Sequence, residues 1–202
     1  MITTLSVALA LLWLLVLGLA VAVLVLLRQV GLLHERLGPV GALTLTGGPK
    51  AGDPSPRFDL EAIDGRSVSI GHHTPGQSTL LFFLSPTCPV CKTLLPILKS
   101  IAREQGSRLR VILASDGEPE KQRAMVSSER LSDYPLLLST PLGLAFEVSK
   151  LPHAVLIDSH GIVVAKGLVN NREHFESLFE AQASGIASIQ DYNTRRLAPE
   201  LT

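Results

Sequence analysis

Cysteine is scarce in this chain: its 202 residues include only Cys88 and Cys91, three positions apart. A small protein braced by disulfides needs more cysteines, spread along the chain, so that class is excluded. Charge of either sign is also not in excess, because lysine plus arginine and aspartate plus glutamate both number 18. A basic surface for nucleic acid and an acidic tail are therefore not indicated. The two neighbouring cysteines indicate local chemistry or metal binding.

Charged side chains are missing altogether from residues 1–27. As a helix, the apolar run at residues 5–27 would extend about 35 Å at about 1.5 Å per residue, enough for a hydrocarbon core of about 30 Å. A cleavable signal peptide has a shorter apolar region, about 7–15 residues, behind a basic segment. The run therefore predicts one N-terminal transmembrane helix. Arg28 and Arg36 follow it, and the positive-inside rule would place them, with the chain that follows, in the cytoplasm.

Composition divides the chain into four segments: an anchor at 1–27, a linker rich in glycine and proline at 28–52, a folded domain at 53–184 and a tail at 185–202. Within the domain, apolar strand-like runs alternate with helical periodicity, and Asp64-Gly65 marks a hairpin turn. This order predicts an α/β fold with a mixed central sheet flanked by helices. Strands are expected at 79–84, 109–114, 136–138, 154–158 and 162–167, and helices at 89–105, 118–131, 141–146 and 172–183.

The cysteines fall where a buried strand gives way to a helix. Cys88 is expected at the helix N-terminus, where free backbone N–H groups and the helix dipole stabilise a thiolate. Pro89 suits the first turn, where its missing N–H costs nothing. Cys91 lies one turn further on, within reach of a mixed disulfide formed by Cys88. The spacing predicts a thiol–disulfide oxidoreductase in which Cys88 attacks and Cys91 resolves.

Metal binding and a purely structural disulfide are the alternatives. A zinc site needs two more ligands, and neither a second CxxC nor an H-x₃₋₅-H pair occurs in the sequence. A copper site formed by Cys88, Cys91 and His153 stays open. A permanent Cys88–Cys91 disulfide also stays open, although closing so short a loop stabilises little. We assign no metal and no cofactor.

Three segments together resemble the membrane-anchored redoxin branch of the thioredoxin-like superfamily, which includes cytochrome c maturation reductases: GDPSPRF at 52–58, SPTCPVCK at 85–92 and LPHAVLID at 151–158. Within that branch the chain resembles, over nearly its whole length, the MauD family of methylamine dehydrogenase accessory proteins. The resemblance implies a thioredoxin-like fold, a redox pair at Cys88 and Cys91, and a cis-proline at Pro152 that faces the substrate. His153 is assigned with Pro152 to substrate binding; the alternative is a solvent-facing histidine on a loop.

The resemblance also implies a client. Members of this family are needed for maturation and disulfide formation of the small β subunit of methylamine dehydrogenase, which is periplasmic, disulfide-rich and carries a quinone made from tryptophans. The chain would then be a single-pass inner-membrane protein with a periplasmic domain that exchanges electrons with a donor or acceptor protein. A general periplasmic reductase, as in cytochrome c maturation, and a non-catalytic chaperone or copper carrier stay open.

Two departures from related families refine this prediction. Peroxiredoxins have a proline seven positions before the reactive cysteine. This chain has Leu81 there, so the peroxiredoxin motif is incomplete and a peroxidase is not indicated. Thioredoxin itself has a buried acid in the strand before its CxxC; strand 79–84 has none, and Glu147 from another loop is the candidate replacement. The Pro89-Val90 dipeptide helps to set the reduction potential, but potentials of thioredoxin-fold proteins range from roughly −270 to −120 mV, which includes both reductants and oxidants, so the direction of electron flow stays open.

Overall fold

The computed structural model describes Ser6, residues 12–23 and residues 47–184. The chain divides into two units, residues 1–42 and 43–202. In the first unit, residues 12–23 are helical and their side chains are exposed. Within the described ranges no helix is both long enough and apolar enough to cross a membrane. The predicted anchor at 5–27 lies partly outside these ranges, and the tail at 185–202 lies wholly outside them.

The second unit contains every strand and helix expected from the sequence, with ends shifted by three residues or fewer. The largest shift is in the second helix, expected over 118–131, which ends early because Arg130 has a positive φ of 51°. The elements are β1 Phe58–Glu61, β2 Ser67–Ile70, β3 Ser78–Phe83, α1 Pro89–Gln105, a 3₁₀ turn Gly106–Arg108, β4 Leu109–Ser115, α2 Pro119–Ser128, β5 Leu136–Leu138, α3 Thr140–Ala145, β6 His153–Ile157, β7 Val163–Leu168 and α4 Arg172–Ser184.

The main sheet has five strands in the order β5-β4-β3-β6-β7. Strands β3, β4 and β5 are parallel, β6 is antiparallel to β3, and β7 is antiparallel to β6. Strands β1 and β2 form a separate antiparallel hairpin. This arrangement confirms the mixed sheet and the thioredoxin-like α/β fold. At the C-terminal end of the central strand β3, its last residue, Phe83, is paired with both Ala114 of β4 and His153 of β6. We call this end of the sheet the active edge, and the chain runs from it directly into the cysteine segment.

Both faces of the sheet are covered, which explains why its strands are apolar without alternation. Because successive side chains point to opposite faces, Leu80 and Phe82 pack with α1, α2 and α4 on one face. We call this the helix face. Leu81 and Phe83 pack on the other, the hairpin face, with β2 and α3. One pair of phenylalanine rings packs on each face. On the helix face the ring centroids of Phe82 and Phe175 are 5.6 Å apart, and on the hairpin face those of Phe83 and Phe146 are 5.9 Å apart.

A strap formed by residues 47–55 runs along the edge strand β7. The backbone N–H of Gly52 donates to Val163 O at 2.8 Å, and the N–H of Val163 donates to Asp53 O at 2.9 Å. Lys166 Nζ donates to Gly47 O. Residues 47–52, which the sequence assigns to the linker, are therefore bonded to the sheet.

Candidate active site

Cys88 and Cys91 are joined by a disulfide, with their Cα atoms 5.3 Å apart. Cys88 is the N-cap of α1: its backbone is extended, at φ −88° and ψ 108°, and its Sγ accepts a hydrogen bond from the N–H of Cys91 at 3.1 Å. Pro89 occupies the first turn, as expected. Cys88 is half-buried, whereas Cys91 is fully buried in the helix-face core. Only Cys88 is therefore exposed to a second protein.

The position of Cys88 gives its sulfur a specific electrostatic environment. When the disulfide is reduced, the sulfur faces backbone N–H groups that have no partner inside the helix, and the helix dipole is positive at this end. No acidic residue lies in the first turn of α1 to oppose this field. Cys91 instead packs among Leu94, Leu95 and Leu98, which offer no stabilisation to a charged sulfur. The arrangement favours a thiolate on Cys88 and a thiol on Cys91.

The turn before Cys88 carries a contribution that sequence reasoning missed. The N–H of Cys88 donates to Ser85 O at 3.1 Å. The Ser85 hydroxyl accepts from the N–H of Thr87 at 3.3 Å, and its Oγ lies 3.0 Å from Thr87 Oγ1. A serine two residues before a threonine in a proline-containing turn is the signal that predicts such a side-chain-to-backbone bond. Ser85 thereby fixes the conformation from which the N-cap begins.

Pro152 lies at the active edge, immediately before β6. The Leu151–Pro152 peptide bond is cis, as the family resemblance implied. Pro152 is buried, and its carbonyl accepts a hydrogen bond from the N–H of Val169 at 3.1 Å. Two large apolar side chains flank these segments and stay exposed, Val90 between the cysteines and Leu151 before the proline. The register of β3 and β6 therefore brings the cysteine and proline segments to the same edge.

His153 is not a solvent-facing loop residue; that alternative is wrong. It is the first residue of β6, pairs with Phe83 and Leu168, and is 1% exposed. Its ring lies edge-on to Phe83, with centroids 6.2 Å apart, on the hairpin face. Neither ring nitrogen has a hydrogen-bond partner, and burial, with the nearby Lys166 ammonium, lowers the pKa of His153 to about 4. The neutral imidazole therefore lies on the face opposite the core that holds Cys91.

The copper alternative finds no support in this geometry. Across the described residues, no cluster of three His, Cys, Asp or Glu side chains is placed to hold a metal ion. Glu147, the candidate replacement for thioredoxin's buried acid, is exposed, has φ 51° and lies beside Lys166 and Gly47. It is thus next to the strap and not in the helix-face core around Cys91.

A thioredoxin-like fold with a CxxC disulfide capping its first long helix defines a dithiol–disulfide protein of the redoxin class. The model of the Redoxin family matches residues 50–182. The fold is similar to the crystal structure of a thiol:disulfide interchange protein of the thioredoxin family from Chlorobium tepidum, with a TM-score of 0.56, 19% identity, and coverage of 66% of this chain and 96% of that one.

Similarity in sequence is much closer to one group within the redoxins. The chain is 49% identical to the methylamine utilization protein MauD of Paracoccus denitrificans over 92% of both chains. It is 48% identical to MauD of Methylorubrum extorquens over 92% of this chain and 90% of that protein. The chain belongs to the MauD family of methylamine utilization proteins.

Proposed function

We propose that this protein is a membrane-anchored thiol–disulfide oxidoreductase that assists maturation and disulfide formation of the β subunit of methylamine dehydrogenase. The observation that carries the chemistry is the asymmetry of the disulfide, in which Cys88 is half-exposed at the helix N-cap and Cys91 is buried. The client is supported by the identity of 49% to a methylamine utilization protein. The disulfide-rich β subunit must also form its disulfides during maturation, which is a task suited to this chemistry.

In the oxidising direction, a client thiolate attacks Cys88 Sγ and the Cys88–Cys91 bond breaks. The electron pair of that bond leaves on Cys91, which takes up a proton, and a mixed disulfide now joins the client to Cys88. A second client thiolate then attacks the client sulfur of this bond. The client disulfide forms, Cys88 leaves as a thiolate, and the pair has gained two electrons. A partner with a more oxidising disulfide removes them and restores the resting state.

The groups around the disulfide have distinct roles in this reaction. The backbone N–H groups at the start of α1 hold the charge that returns to Cys88, so the last step releases a stabilised leaving group. Burial of Cys91 keeps that sulfur from reacting directly with outside thiols. The exposed Val90 and Leu151 offer apolar contact to a client segment on either side of the disulfide. Pro152 is proposed to face that segment from the start of β6.

Residues 5–27 are proposed to anchor the protein in the inner membrane with its domain in the periplasm, where disulfides persist. The placement can be tested with alkaline phosphatase fused to the C-terminus, since this enzyme is active only after export. An inactive fusion that is expressed and membrane-bound would contradict the periplasmic assignment, and an active one would support it.

The redox function is tested with a pair of serine variants. Cys91→Ser should accumulate mixed disulfides between Cys88 and client proteins, visible as bands that disappear on reduction. Cys88 can still attack a client disulfide, which is the reverse of the last step, but no second cysteine is then present to attack Cys88 and release the client. Cys88→Ser is the matched control and should trap nothing, since Cys91 is buried. If both variants leave methylamine dehydrogenase maturation intact, the protein is a chaperone that does not use its thiols. If the trapped client is apocytochrome c, the general reductase is correct instead.

A further inference from the structure

A crevice of about 450 Å³ lies at the end of the sheet opposite the cysteines. Its wall combines the last turn of α1, the start of β4 and the residues before β5. Arg103, near the end of α1, is 15 positions beyond Cys88, or about 22 Å along the helix at about 1.5 Å per residue. A ligand in this crevice would therefore leave the disulfide accessible.

Arginine dominates the polar lining of the crevice. Arg66, Arg103 and Arg110 line it, with Asp133 as the acidic residue and Tyr134 beside them. Arg66 is already paired with Asp64 and also donates to the carbonyl of Ser132. The Arg103 Nε donates to a backbone carbonyl of its own helix, and the described ion pairs do not include Arg103. Guanidinium groups present paired N–H donors that match the oxygens of phosphate.

Arg110 is the side chain that most needs a ligand. It is half-buried, and within the structure's described ranges no carboxylate lies within 4 Å of its guanidinium. One terminal nitrogen donates to Ser69 O at 2.7 Å and to Thr79 Oγ1 at 3.1 Å, while the buried Nε has no acceptor. Burial lowers the pKa of Arg110, the direction expected of a cation that lacks a counter-ion. An anion beside it would offset this cost.

The rest of the lining suits an ester more than a bare ion. Val68, Leu109 and Pro135 supply apolar surface, and the volume falls within the range of about 300–1,000 Å³ common for small-molecule sites. Burial raises the pKa of Tyr134, so its hydroxyl remains a hydrogen-bond donor at neutral pH. A phosphate monoester carries about −1.5 to −2 charges at neutral pH. The two guanidiniums not paired with Asp64 together with the carboxylate of Asp133 leave the lining with one net positive charge toward such an anion.

We propose that this crevice binds the phosphate group of a phosphorylated small molecule or lipid headgroup, with Arg103 and Arg110 as its principal ligands. The site is separate from the disulfide, and its proposed role does not depend on the thiol chemistry. A bound phosphate stabilises the junction of α1, β4 and the 133–135 segment, because it neutralises a guanidinium that the fold otherwise leaves uncompensated.

The test is equilibrium dialysis of the full chain, in a non-ionic detergent, against radiolabelled inorganic phosphate at constant ionic strength. We expect saturable retention by the unmodified protein and by Arg57→Gln, an exposed arginine outside the crevice. Arg103→Gln should weaken retention by about tenfold or more, as expected for loss of a charge-assisted hydrogen bond. Arg110→Gln should do the same; Arg103 is exposed, so its variant stays informative even where Arg110→Gln fails to fold.

Two results overturn the proposal: no retention by the unmodified protein, or equal retention by all four proteins. Soluble dihexanoyl phosphatidic acid, a phosphate monoester, then identifies the source of the phosphate. Displacement of the label by this lipid at lower concentration than by glycerol phosphate indicates a headgroup site. The reverse order indicates a free phosphate ester, and either order supports a phosphate site.

Discussion

The buried, neutral His153 makes a quantitative prediction about stability in acid. Its pKa is about 4 in the folded protein, mainly because of burial and secondarily because of Lys166. In the unfolded chain the pKa is about 6.5. Between these two pKa values the His153 imidazole is protonated in the unfolded state but not in the folded state. The free energy of unfolding therefore falls as the pH drops from about 6.5 to about 4.

The size of the effect follows from the difference between the two pKa values. Linkage gives a loss of about 2 kcal/mol at pH 5 and about 3 kcal/mol by pH 3, relative to neutral pH, from this one side chain. Against a typical total stability of about 5–15 kcal/mol, such a loss is large enough to measure. His153→Leu removes the titration, so its free energy of unfolding should fall less steeply with acid than that of the unmodified protein.

The assay is urea unfolding of both proteins, followed by far-ultraviolet circular dichroism at a series of pH values. Tryptophan fluorescence is unsuitable because the single tryptophan, Trp13, lies outside the domain. His73→Gln, at an exposed position, serves as the matched control for the removal of one histidine. Lys166→Met should raise the pKa of His153 and shrink the loss. Parallel curves for the unmodified protein and His153→Leu between pH 7 and pH 4 would refute the reasoning.

Three further substitutions test the strap, the cysteine turn and the core. Gly48→Ala should destabilise the fold by about 1–3 kcal/mol in urea unfolding, because Gly48 has φ 70° and a Cβ there would lie 2.6 Å from Phe146 O. Ser85→Ala should slow iodoacetamide alkylation of reduced Cys88 at neutral pH by up to about fivefold, the equivalent of one hydrogen bond of about 1 kcal/mol, and Ser85→Thr should restore the rate. Leu98→Ala, at a fully buried position on α1, should cost about 2–5 kcal/mol, and a loss below about 1 kcal/mol would contradict the packing described here.

Helix α1 shows what the sequence predicts well. Its ends at Pro89 and Gln105 match the predicted range, because strong local signals mark both of them. Pro89 follows a residue able to cap the helix, and Gly106 adopts the positive φ that stops it. Helix α2 has no such signal at its end, since Arg130 adopts a positive φ through its surroundings and not through its residue type.

His153 and Arg110 show what the sequence does not predict. Arg110 lies within the predicted strand 109–114, whereas His153, expected just before strand 154–158, is the first residue of β6. For neither residue does strand position alone say which face of the sheet the side chain joins. The register of β6 against β3 assigns His153 to the hairpin face, and this register depends on long-range pairing with Phe83. The arginine crevice likewise forms only where α1, β4 and the segment before β5 come together, and no local sequence pattern predicts that long-range arrangement.

The surroundings of Cys91 explain how the exchange reaction would be controlled. Within the described ranges the buried polar side chains are Ser55, Thr79, Ser115, Gln122 and His153, and none of them is a carboxylate. A proton can therefore neither be taken from nor given to Cys91 by a buried acid, as it can in thioredoxin. Because a desolvated sulfur is a poor leaving group when charged, breaking the disulfide requires a proton from water or from the client itself. In the proposed exchange Cys88 is the sulfur that a client can reach, and the supply of a proton to the buried Cys91 decides how readily the disulfide opens.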